Sequence, residues 1–558
     1  MLRIQEVKRQ ACESADCLPQ KIERQLKLPK GCITQWRRVK ESVDARDKSR
    51  IMLVCSVDFS AESIDEEQLL SRAQKRGWKL KKAPQEEYVL FHQRKEYQKP
   101  EQRMLHRPVV VGFGPCGIFC ALLLAQMGYA PLVLERGKPV EQRAADVERF
   151  WRGEKVDPES NVQFGEGGAG TFSDGKLTTQ IKDSRIHKVI EEMVAAGGGE
   201  ELRYRQKPHV GTDVLRNVVV QLRREILRLG GEILFETKLT GLRFDPEGRV
   251  CAVEAESRKE PRARVIPAEV VVLALGHSAR DTFEALHRAG LSMEQKPFSM
   301  GVRIEHWQEM IDCSQYGAPA AQQKLGAAEY KLSHKCKNGR GVYTFCMCPG
   351  GRVIASASSP QSVVTNGMSY RSRSLPNANS GLLVDVRTED FGSEHPLAGM
   401  RFQEYWEHQA FLAGGSSGCA PAQRAEDFLA GQATEQGRGE SNSVRPSYAP
   451  GVAWTSLDAC LPAFACESLR EALPVLGKKL AGFDSGDSVL TGIETRSSSP
   501  VRIVRSETLQ TAPGVFPGGE GAGYAGGITS AAVDGIRIAE QIAALWLPAE
   551  TEKPEISK

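Results

Sequence analysis

The sequence predicts an α/β protein built on a buried parallel sheet, on three observations. A short apolar run at residues 109–111 leads into a glycine-rich turn and an Ala/Leu-rich helix. A second apolar run at 269–276, and a second glycine-rich turn at 514–527 followed by a helix, come much later in the chain. Strands that are apolar throughout are typical of parallel sheets covered on both faces. These distant segments are therefore expected to meet in one sheet.

The first of these segments has the pattern of a nucleotide-binding βαβ unit. Gly112, Gly114 and Gly117 have G-x-G-x-x-G spacing, and Glu135 follows Gly112 by 23 residues. In such units the glycines allow a tight turn, approach of backbone to a pyrophosphate and close helix packing, while the acidic residue binds a ribose. The pattern predicts a dinucleotide site at the start of the helix, where free N–H groups favour phosphate. The alternative is a glycine-rich turn in another α/β fold.

Composition limits the class of protein. The chain of 558 residues suggests two to four domains, and its net charge of +4, from 74 basic and 70 acidic residues, does not indicate a nucleic-acid binder. The first twenty residues lack the apolar core of a secretory signal, and no stretch is apolar enough to span a membrane. The 14 cysteines are scattered, which favours reduced thiols and a cytoplasmic location.

Changes in composition and in the pattern of apolar residues along the chain predict its domain organisation. The N-terminal part has strand and helix patterns typical of a small ferredoxin-like α+β domain, with a strand at 50–58, a helix at 66–76 and a short strand at 87–91. A Gly/Ser/Gln-rich stretch at 414–447 is interpreted as a long loop or flexible lid. The expected parts are residues 1–100 (small α+β domain), 101–295 (first part of the nucleotide-binding domain), 296–480 (inserted mixed α+β substrate domain), 481–548 (return to the nucleotide-binding domain) and 549–558 (tail).

Two further glycine-rich segments are candidates for ligand contact. Residues 164–179 read FGEGGAGTFSDGKLTT, with five glycines in sixteen residues. Glycine clusters let backbone approach a ligand closely, and Lys176 could then face a phosphate or a substrate anion. Residues 514–541 place Gly519-Glu520 before a helix that begins near Ile528. The alternatives are a surface loop and an ordinary helix-capping loop.

Taken together, these motifs resemble those of flavoproteins with two dinucleotide-binding domains. The resemblance is closer to the bacterial family of FAD-dependent proteins, also described as NAD(FAD)-utilizing dehydrogenases, whose reaction is not known. It extends over nearly the whole chain. The residues that carry it are 42–46 (SVDAR), 164–179, 296–298 (KPF), 301–306 (GVRIEH), 345–351 (FCMCPGG), 365–370 (TNGMSY), 492–496 (GIETR), 499–503 (SPVRI) and 519–528 (GEGAGYAGGI).

The resemblance implies non-covalent FAD in a glutathione-reductase-like fold with an inserted domain. Glu520 is then expected to hold the ribityl or pyrophosphate part of FAD, and the helix that begins at Ile528 is expected to point toward the pyrimidine edge of the flavin. The full set of expected cofactor-binding residues is Gly112, Gly114, Pro115, Gly117, Glu135, Arg136, Gly168, Gly170, Thr171, Gly276, Gly519, Glu520, Gly526, Gly527 and Ile528.

Candidates for the chemistry itself are few. Cys346 and Cys348 could form a redox dithiol, but the usual redox spacing is C-x-x-C, and alternation along a strand puts both on one face, where buried cysteine is common. His277 could be a base or a polar loop residue. No metal-binding signature stands out. Basic residues that could bind an anionic substrate, or form ordinary salt bridges, are Lys176, Arg303, Arg496 and Arg502.

The resulting hypothesis is an FAD-dependent oxidoreductase, a reductase or dehydrogenase that acts on a small-molecule substrate or electron carrier. NAD(P)H is a candidate electron donor, although no separate motif for it appears. One alternative is a flavin monooxygenase. Another is a flavin-bound RNA-associated or interaction protein that docks through residues 1–100, for which the basic stretches 37–40 and 46–50 are weak support. A membrane or nucleic-acid partner is not expected.

Overall fold

The structure is a computed structural model that describes residues 1–84, 87–260, 263–317, 325–436 and 443–550. Most of the expected tail at 549–558 therefore lies outside the described residues. Among the described residues, no helix combines the length and the apolar character needed to cross a membrane.

The N-terminal part is a four-stranded antiparallel sheet with two helices. Its elements are β1 (Leu2–Gln10), α1 (Leu18–Leu26), β2 (Ile33–Asp44), β3 (Met52–Ala61), α2 (Glu66–Arg76) and β4 (Leu80–Lys82). The strand order β2-β3-β1-β4, with the chain order β-α-β-β-α-β, is the split βαβ arrangement of ferredoxin-like domains. The helix expected at 66–76 is confirmed.

The strand expected at 87–91 is wrong. Residues 87–90 have no regular structure, and Phe91–Gln93 is a single 3-10 turn. The apolar side chains that indicated a strand instead pack on the core of the next part of the molecule. The Tyr88 hydroxyl donates a hydrogen bond to Glu540 at 2.6 Å. The segment thus binds the small domain to the helix that ends the fold.

The second part contains the expected parallel sheet. Its elements are β5 (Val109–Val111), α3 (Pro115–Gln126), β6 (Leu132–Leu134), α4 (Val140–Trp151), α5 (Arg185–Met193), α6 (Thr212–Arg228), β7 (Glu232–Leu234), β8 (Thr237–Phe244), β9 (Val250–Ser257), β10 (Arg264–Pro267), β11 (Val271–Leu273) and α7 (Arg280–Arg288). Strands β8, β9 and β10 form a separate antiparallel sheet.

The third part builds a second, larger sheet and then returns to the first. Its elements are β12 (Met293–Gln295), β13 (Phe298–Trp307), α8 (Gln308–Tyr316), β14 (Ser333–Lys335), β15 (Gly341–Ala355), β16 (Thr365–Ser369), β17 (Asn377–Val386), α9 (Ala398–Ala413), β18 (Ala420–Arg424), α10 (Ala425–Ala430), β19 (Val452–Trp454), α11 (Ala463–Lys479), β20 (Val489–Glu494), β21 (Val501–Ile503), β22 (Val515–Pro517) and α12 (Ile528–Leu545). Unlabelled short helical turns are Ala15–Cys17, Ala169–Phe172, Val194–Gly198, Glu200–Arg203, Thr388–Phe391 and Leu457–Ala459.

The two main sheets differ in character. The parallel sheet has the order β22-β11-β5-β6-β7, so the three distant apolar segments do meet in one sheet. The larger sheet is mainly antiparallel, with the order β14-β15-β17-β13-β20-β18-β19 and with β16 paired to β15. Because β20 belongs to this larger sheet, the boundary expected at 480/481 does not separate the two sheets. The domain division as a whole stays a prediction.

The long loop expected at 414–447 is also wrong in part, because β18 and α10 lie within it. All five residues of β18 are buried, and it pairs with β20. The Gly/Ser/Gln-rich composition reflects the connections around these short elements. Residues 437–442 of this stretch lie outside the described residues.

A buried arginine holds the glycine-rich loop against the parallel sheet. Arg143, on α4, is fully buried. Its guanidinium donates hydrogen bonds to five backbone carbonyl oxygens of residues 161–168, at 2.6 to 3.2 Å. A Cβ atom at Gly165 would lie 2.4 Å from Cδ of Arg143. The loop therefore depends on both the arginine and the missing side chain of Gly165.

A buried carboxylate links the two main sheets. Glu407, on α9, accepts hydrogen bonds from Arg280 at the start of α7, at 2.9 and 3.0 Å, and from Arg496 just after β20, at 2.8 and 3.0 Å. Burial alone favours a higher pKa for Glu407, but the two guanidinium groups outweigh burial and hold that pKa well below its usual range. The carboxylate is thus ionised and compensates two buried positive charges.

Replacing Glu407 by Gln should destabilise the protein by about 3–5 kcal/mol, because two buried guanidinium groups lose their counter-charge. Since the pKa of Glu407 is lowered on folding, its stabilising effect is present at neutral pH and is lost as the pH falls below about 4.3, the ordinary value for glutamate. The urea midpoint, measured from pH 7 down to about pH 2, should show a difference between the two proteins that is constant above about pH 5 and shrinks as the pH falls further. Glu404, exposed on the same helix and 3.5 Å from Arg280, provides the control: E404Q should change the midpoint little. Equal effects of the two substitutions would contradict the assignment.

Gly165→Ala tests the arginine clamp, by which we mean the hydrogen bonds from Arg143 to the carbonyl oxygens of residues 161–168. Both Gly165 (φ +120°) and Gly153 (φ +95°) have backbone angles that are strained for alanine, but a Cβ atom at Gly153 meets nothing within 4 Å. G153A should cost about 1–2 kcal/mol from strain alone. G165A should cost about 1–3 kcal/mol more, because Arg143 cannot move aside without losing its hydrogen bonds. Urea unfolding checks this, and equal midpoints for the two variants would show that the clamp is loose.

Candidate functional site

A cavity of about 380 Å³ lies between the parallel sheet and the larger sheet. Its wall includes the turn after β5, the ends of β6 and β11, the glycine-rich loop and the start of α12 on one side. Residues of β15, β16 and β20 form the other side. Ligands of open α/β sheets bind at the carboxyl ends of the strands, and the cavity lies there.

The turn between β5 and α3 presents backbone to this cavity. Gly112 has φ +98°, and a Cβ atom there would lie 2.4 Å from the carbonyl oxygen of Ala274. Gly114 precedes α3 without a side-chain cap, and Pro115 opens the helix. The uncapped first turn has free N–H groups that suit a phosphate. Gly117 lies behind the turn, where a Cβ atom would lie 1.9 Å from the carbonyl oxygen of Gly112, so it serves helix packing.

Glu135 closes the end of β6 and lines the cavity. Its carboxylate accepts hydrogen bonds from the backbone N–H groups of Phe113, Gly137 and Gly165, at 2.8, 2.9 and 3.0 Å. A carboxylate has about four lone-pair sites, so it can accept one more bond, as the expected role toward a ribose requires. Arg136, also in the wall, is engaged with Glu159 and Asp281.

The glycine-rich loop contributes Gly168, Gly170 and Lys176 to the wall. A Cβ atom at Gly168 would lie 3.1 Å from Cα of Gly114, so the loop lies directly on the βαβ turn. Thr171 does not line the cavity. It is buried behind the wall, where its carbonyl oxygen accepts a hydrogen bond from Thr212 at 2.7 Å.

The end of β11 and the last glycine-rich turn meet at a second polar group. Gly276, His277 and Glu520 line the cavity. Nδ1 of His277 lies 3.1 Å from Oε1 of Glu520, while the buried Nε2 has no partner among the described residues. A buried polar atom without a partner calls for an explanation, and a ligand in the cavity supplies one. Gly519 lies behind this wall, with its N–H bonded to Asp534.

Helix α12 directs its N-terminus at the same cavity. Gly526, Gly527 and Ile528 line the wall, and Gly527 precedes the helix without a side-chain cap. The Thr529 hydroxyl donates to the carbonyl oxygen of Leu177 at 2.8 Å, which fixes the helix start beside the glycine-rich loop. Helix starts favour negative charge nearby. The cavity therefore has two uncapped helix N-termini in its wall, those of α3 and α12.

The larger sheet supplies Phe345, Cys346, Asn366 and Glu494 to the opposite wall. Burial raises the pKa of Glu494 to about 7, against the lowering effect of Arg303. Cys346 and Glu494 are thus the titratable groups among these four wall residues.

Arg303 itself lies behind that wall. It is fully buried, forms an ion pair with Glu494, and donates to the carbonyl oxygen of Cys346 at 2.9 Å and to Asn366 at 3.0 Å. It positions three wall residues and cannot reach a substrate from there.

The other basic candidates have different surroundings. Lys176 lines the cavity and donates to the carbonyl oxygen of Met347. Arg496 also lines it but is held by Glu407, Ser278 and Ser358. Arg502 lies outside the cavity wall and pairs with Glu294 at 3.0 Å. Of the four, Lys176 and Arg496 are the ones that the structure brings to the cavity.

The strand alternation expected to put Cys346 and Cys348 on one face is interrupted. Between Phe345 and Cys348, β15 advances by three residues while its partner β17 advances by two. This is a β-bulge, a feature that re-aims side chains next to active sites. Cys346, at φ +42°, consequently lies in the cavity wall, whereas Cys348 is fully buried.

Among the residues that the structure describes, one group of metal-ligand types comes together outside the cavity, although the sequence showed no metal signature. Donor atoms of His334, Cys336 and Glu471 lie within 4.8 Å of one another. All three have protein partners: Glu471 accepts from the Lys337 N–H and faces His334, and Cys336 donates to Ser468. These bonds tie the segment after β14 to helix α11.

Sequence comparison identifies the relatives of this chain. A family model described as "FAD-dependent protein, C-terminal domain-like" matches residues 297–497, and a domain of unknown function matches residues 1–60. An uncharacterized protein of Clostridium beijerinckii is 44% identical over 544 residues, which is 97% of this chain and 98% of that protein.

Comparison with solved structures gives matches of low identity and low TM-score, three of which follow. FAD-complexed glycerol-3-phosphate dehydrogenase from Bacillus halodurans has 12% identity and a TM-score of 0.34, over 81% of this chain and 66% of that one. The quinol fumarate reductase of E. coli has 12% identity and a TM-score of 0.36, over 79% and 70%. A flavoprotein/dehydrogenase from Cytophaga hutchinsonii has 12% identity and a TM-score of 0.31, over 78% and 77%.

The motifs, the matched C-terminal domain and the relative that is similar over nearly its whole length lead to one conclusion: the chain belongs to the family of FAD-dependent proteins.

Proposed function

We propose that this protein is an FAD-dependent oxidoreductase that binds FAD non-covalently in the cavity between the parallel sheet and the larger sheet. The observation that carries the proposal is the content of one cavity wall: two uncapped helix N-termini, the Glu135 carboxylate and the buried Nε2 of His277, for which the described part of the chain offers no partner. These groups fit a long ligand that has phosphates, hydroxyl groups and an electron-accepting ring.

Each group has a distinct expected role. We expect the start of α3 to bind the pyrophosphate and Glu135 to accept from the adenosine ribose. Glu520 and His277 are expected to meet the polar middle of the cofactor. The start of α12 favours negative charge on the ring. When bound, FAD supplies the electron-transfer chemistry that protein side chains lack.

The wall formed by the larger sheet is the proposed substrate side. Phe345 excludes water there, while Asn366 and Lys176 offer hydrogen-bond donors. Glu494, with its pKa of about 7, can hold or release a proton near neutral pH. We infer that a small-molecule substrate or an electron carrier enters on this side.

NAD(P)H as donor and the cytoplasmic location remain predictions of the sequence.

The cofactor proposal is tested on the purified full-length protein. Its visible spectrum should be that of an oxidised flavin, and acid precipitation should release about one FAD per chain into the supernatant. A colourless protein that also fails to bind added FAD would contradict the proposal. Flavin that remains with the precipitate would contradict non-covalent binding.

Glu135→Gln tests the cofactor assignment at one residue. Hydrogen bonds to a charged group contribute about 1.5–3 kcal/mol, so FAD should bind the variant about 10- to 100-fold more weakly. Titration of the apoprotein with FAD, followed by flavin fluorescence, measures this. Glu247→Gln, at an exposed turn of the same part of the chain, is the matched control and should bind as the wild type does. An unchanged affinity for E135Q would remove Glu135 from the site.

A further inference from the structure

The bulge in β15 places two cysteines in different positions relative to the cavity. Cys346 lies in the wall and Cys348 is fully buried behind it. The Cys348 sulfur lies 3.3 Å from the carbonyl oxygen of Cys346, so the buried thiol lies against its neighbour. A positive φ at a residue other than glycine is strained, and such strain often accompanies a functional site. Buried structural cysteines need no such conformation.

The surroundings of Cys346 favour its thiolate form. A hydrogen bond between the two cysteine side chains, with the Cys346 sulfur as acceptor, lowers the pKa of Cys346 most. Burial opposes this, and the positive charges of Arg303 and Lys176 lower the pKa further. Conversely, the pKa of Cys348 is raised, first by its hydrogen bond with Cys346 and then by burial. One cysteine is thereby favoured as the thiolate and the other as the thiol.

The negative groups that face this pair are already compensated. Glu494 forms an ion pair with Arg303, and Asp174 pairs with Arg373. Lys176 donates to the carbonyl oxygen of Met347, between the two cysteines. Arg303 also donates to the carbonyl oxygen of Cys346, so its guanidinium and the Lys176 ammonium both lie at the bulge, where they can stabilise a negative sulfur.

The spacing permits a bond between the two residues. Each residue of a strand advances the chain by about 3.3 Å, so Cα atoms two residues apart in a regular strand are about 6.6 Å from each other. Disulfides span about 4.4–6.8 Å between Cα atoms. A C-x-C link is thus within reach without opening the sheet.

We propose that Cys346 and Cys348 are a redox-active dithiol pair, and that the substrate class of the cavity is a disulfide. Cys346 attacks the substrate disulfide from the wall, and Cys348 resolves the resulting mixed disulfide. This assignment rests on the proposed oxidoreductase function and names its substrate chemistry.

The exchange balances as follows. The Cys346 thiolate bonds to one sulfur of the substrate disulfide, and the other sulfur leaves as a thiolate. Cys348 then gives up its proton and bonds to the Cys346 sulfur, releasing the second substrate sulfur. The substrate is reduced to one thiol and one thiolate, and the pair is oxidised to a disulfide. Returning the pair to a thiolate and a thiol takes two electrons and one proton, and two electrons are what one reduced flavin carries.

The test uses the purified full-length protein with its bound flavin. Its cysteines are first reduced to thiols, and the protein is then treated with glutathione disulfide. Trypsin should release residues 341–352, a peptide whose two cysteines are Cys346 and Cys348. After alkylation, mass spectrometry should find this peptide without alkyl groups and two hydrogens lighter than the same peptide with two free thiols. In C348S the step stops at the mixed disulfide, so Cys346 should carry glutathione. In C346S, Cys348 should stay a free thiol because it is buried.

The matched control is C251S, which removes an exposed cysteine away from the cavity and should leave closure of the pair unchanged. Thermal melting of each variant confirms that it is folded. Two free thiols in the peptide at every concentration of glutathione disulfide, or an unmodified Cys346 in C348S, would overturn the proposal. Flavin absorbance of the same samples separates the two claims: bound FAD without closure refutes only the dithiol pair, whereas closure without FAD refutes only the proposed cofactor.

Discussion

The placement of the cavity depends on the buried guanidinium of Arg143. Taking such a charge out of water is costly, and burial lowers the pKa of Arg143 to about 10, against the raising effects of Glu135 and Glu166. Charge-assisted hydrogen bonds to five carbonyl oxygens offset this cost. They hold the glycine-rich loop on the βαβ turn, where the loop also donates the Gly165 N–H to Glu135. Helix, loop and sheet end are thereby fixed relative to one another before any ligand binds.

The opposite wall depends on three buried ion pairs. Glu407 ties α9 to Arg280 and Arg496, and Glu494 pairs with Arg303 behind the cavity. Because Glu494 and Arg496 line the cavity, these pairs fix the orientation of polar groups in its wall. A site at a junction of two sheets needs this kind of support, because preorganised groups act only if their neighbours hold them. The arginines that resembled anion ligands are, for the most part, this support.

The sequence predicted the parallel sheet and most of the cavity wall. Glycine spacing, apolar runs and an acidic residue at the end of a strand, here Glu135, are signals that follow from local backbone requirements. It missed β2, whose charged edge position hides its alternation, and it misplaced a strand at 87–91, where apolar side chains pack on a distant helix. Gly117, Thr171 and Gly519 lie behind the wall, a distinction that depends on tertiary packing. Arg143 could have been noticed as a charge on the apolar face of α4. The bulge at Cys346 has no local sequence signal, since it arises from the pairing of β15 with β17.

The central claim is that α3, the glycine-rich loop and α12 bind one FAD molecule together. Hydrogen–deuterium exchange of the apoprotein with and without added FAD tests this most directly. The account predicts slower exchange in all three segments, residues 112–118, 165–171 and 526–531, while exposed turns such as residues 245–249 stay unchanged. Binding of FAD that leaves these three segments unprotected, or that protects only one of them, would contradict it.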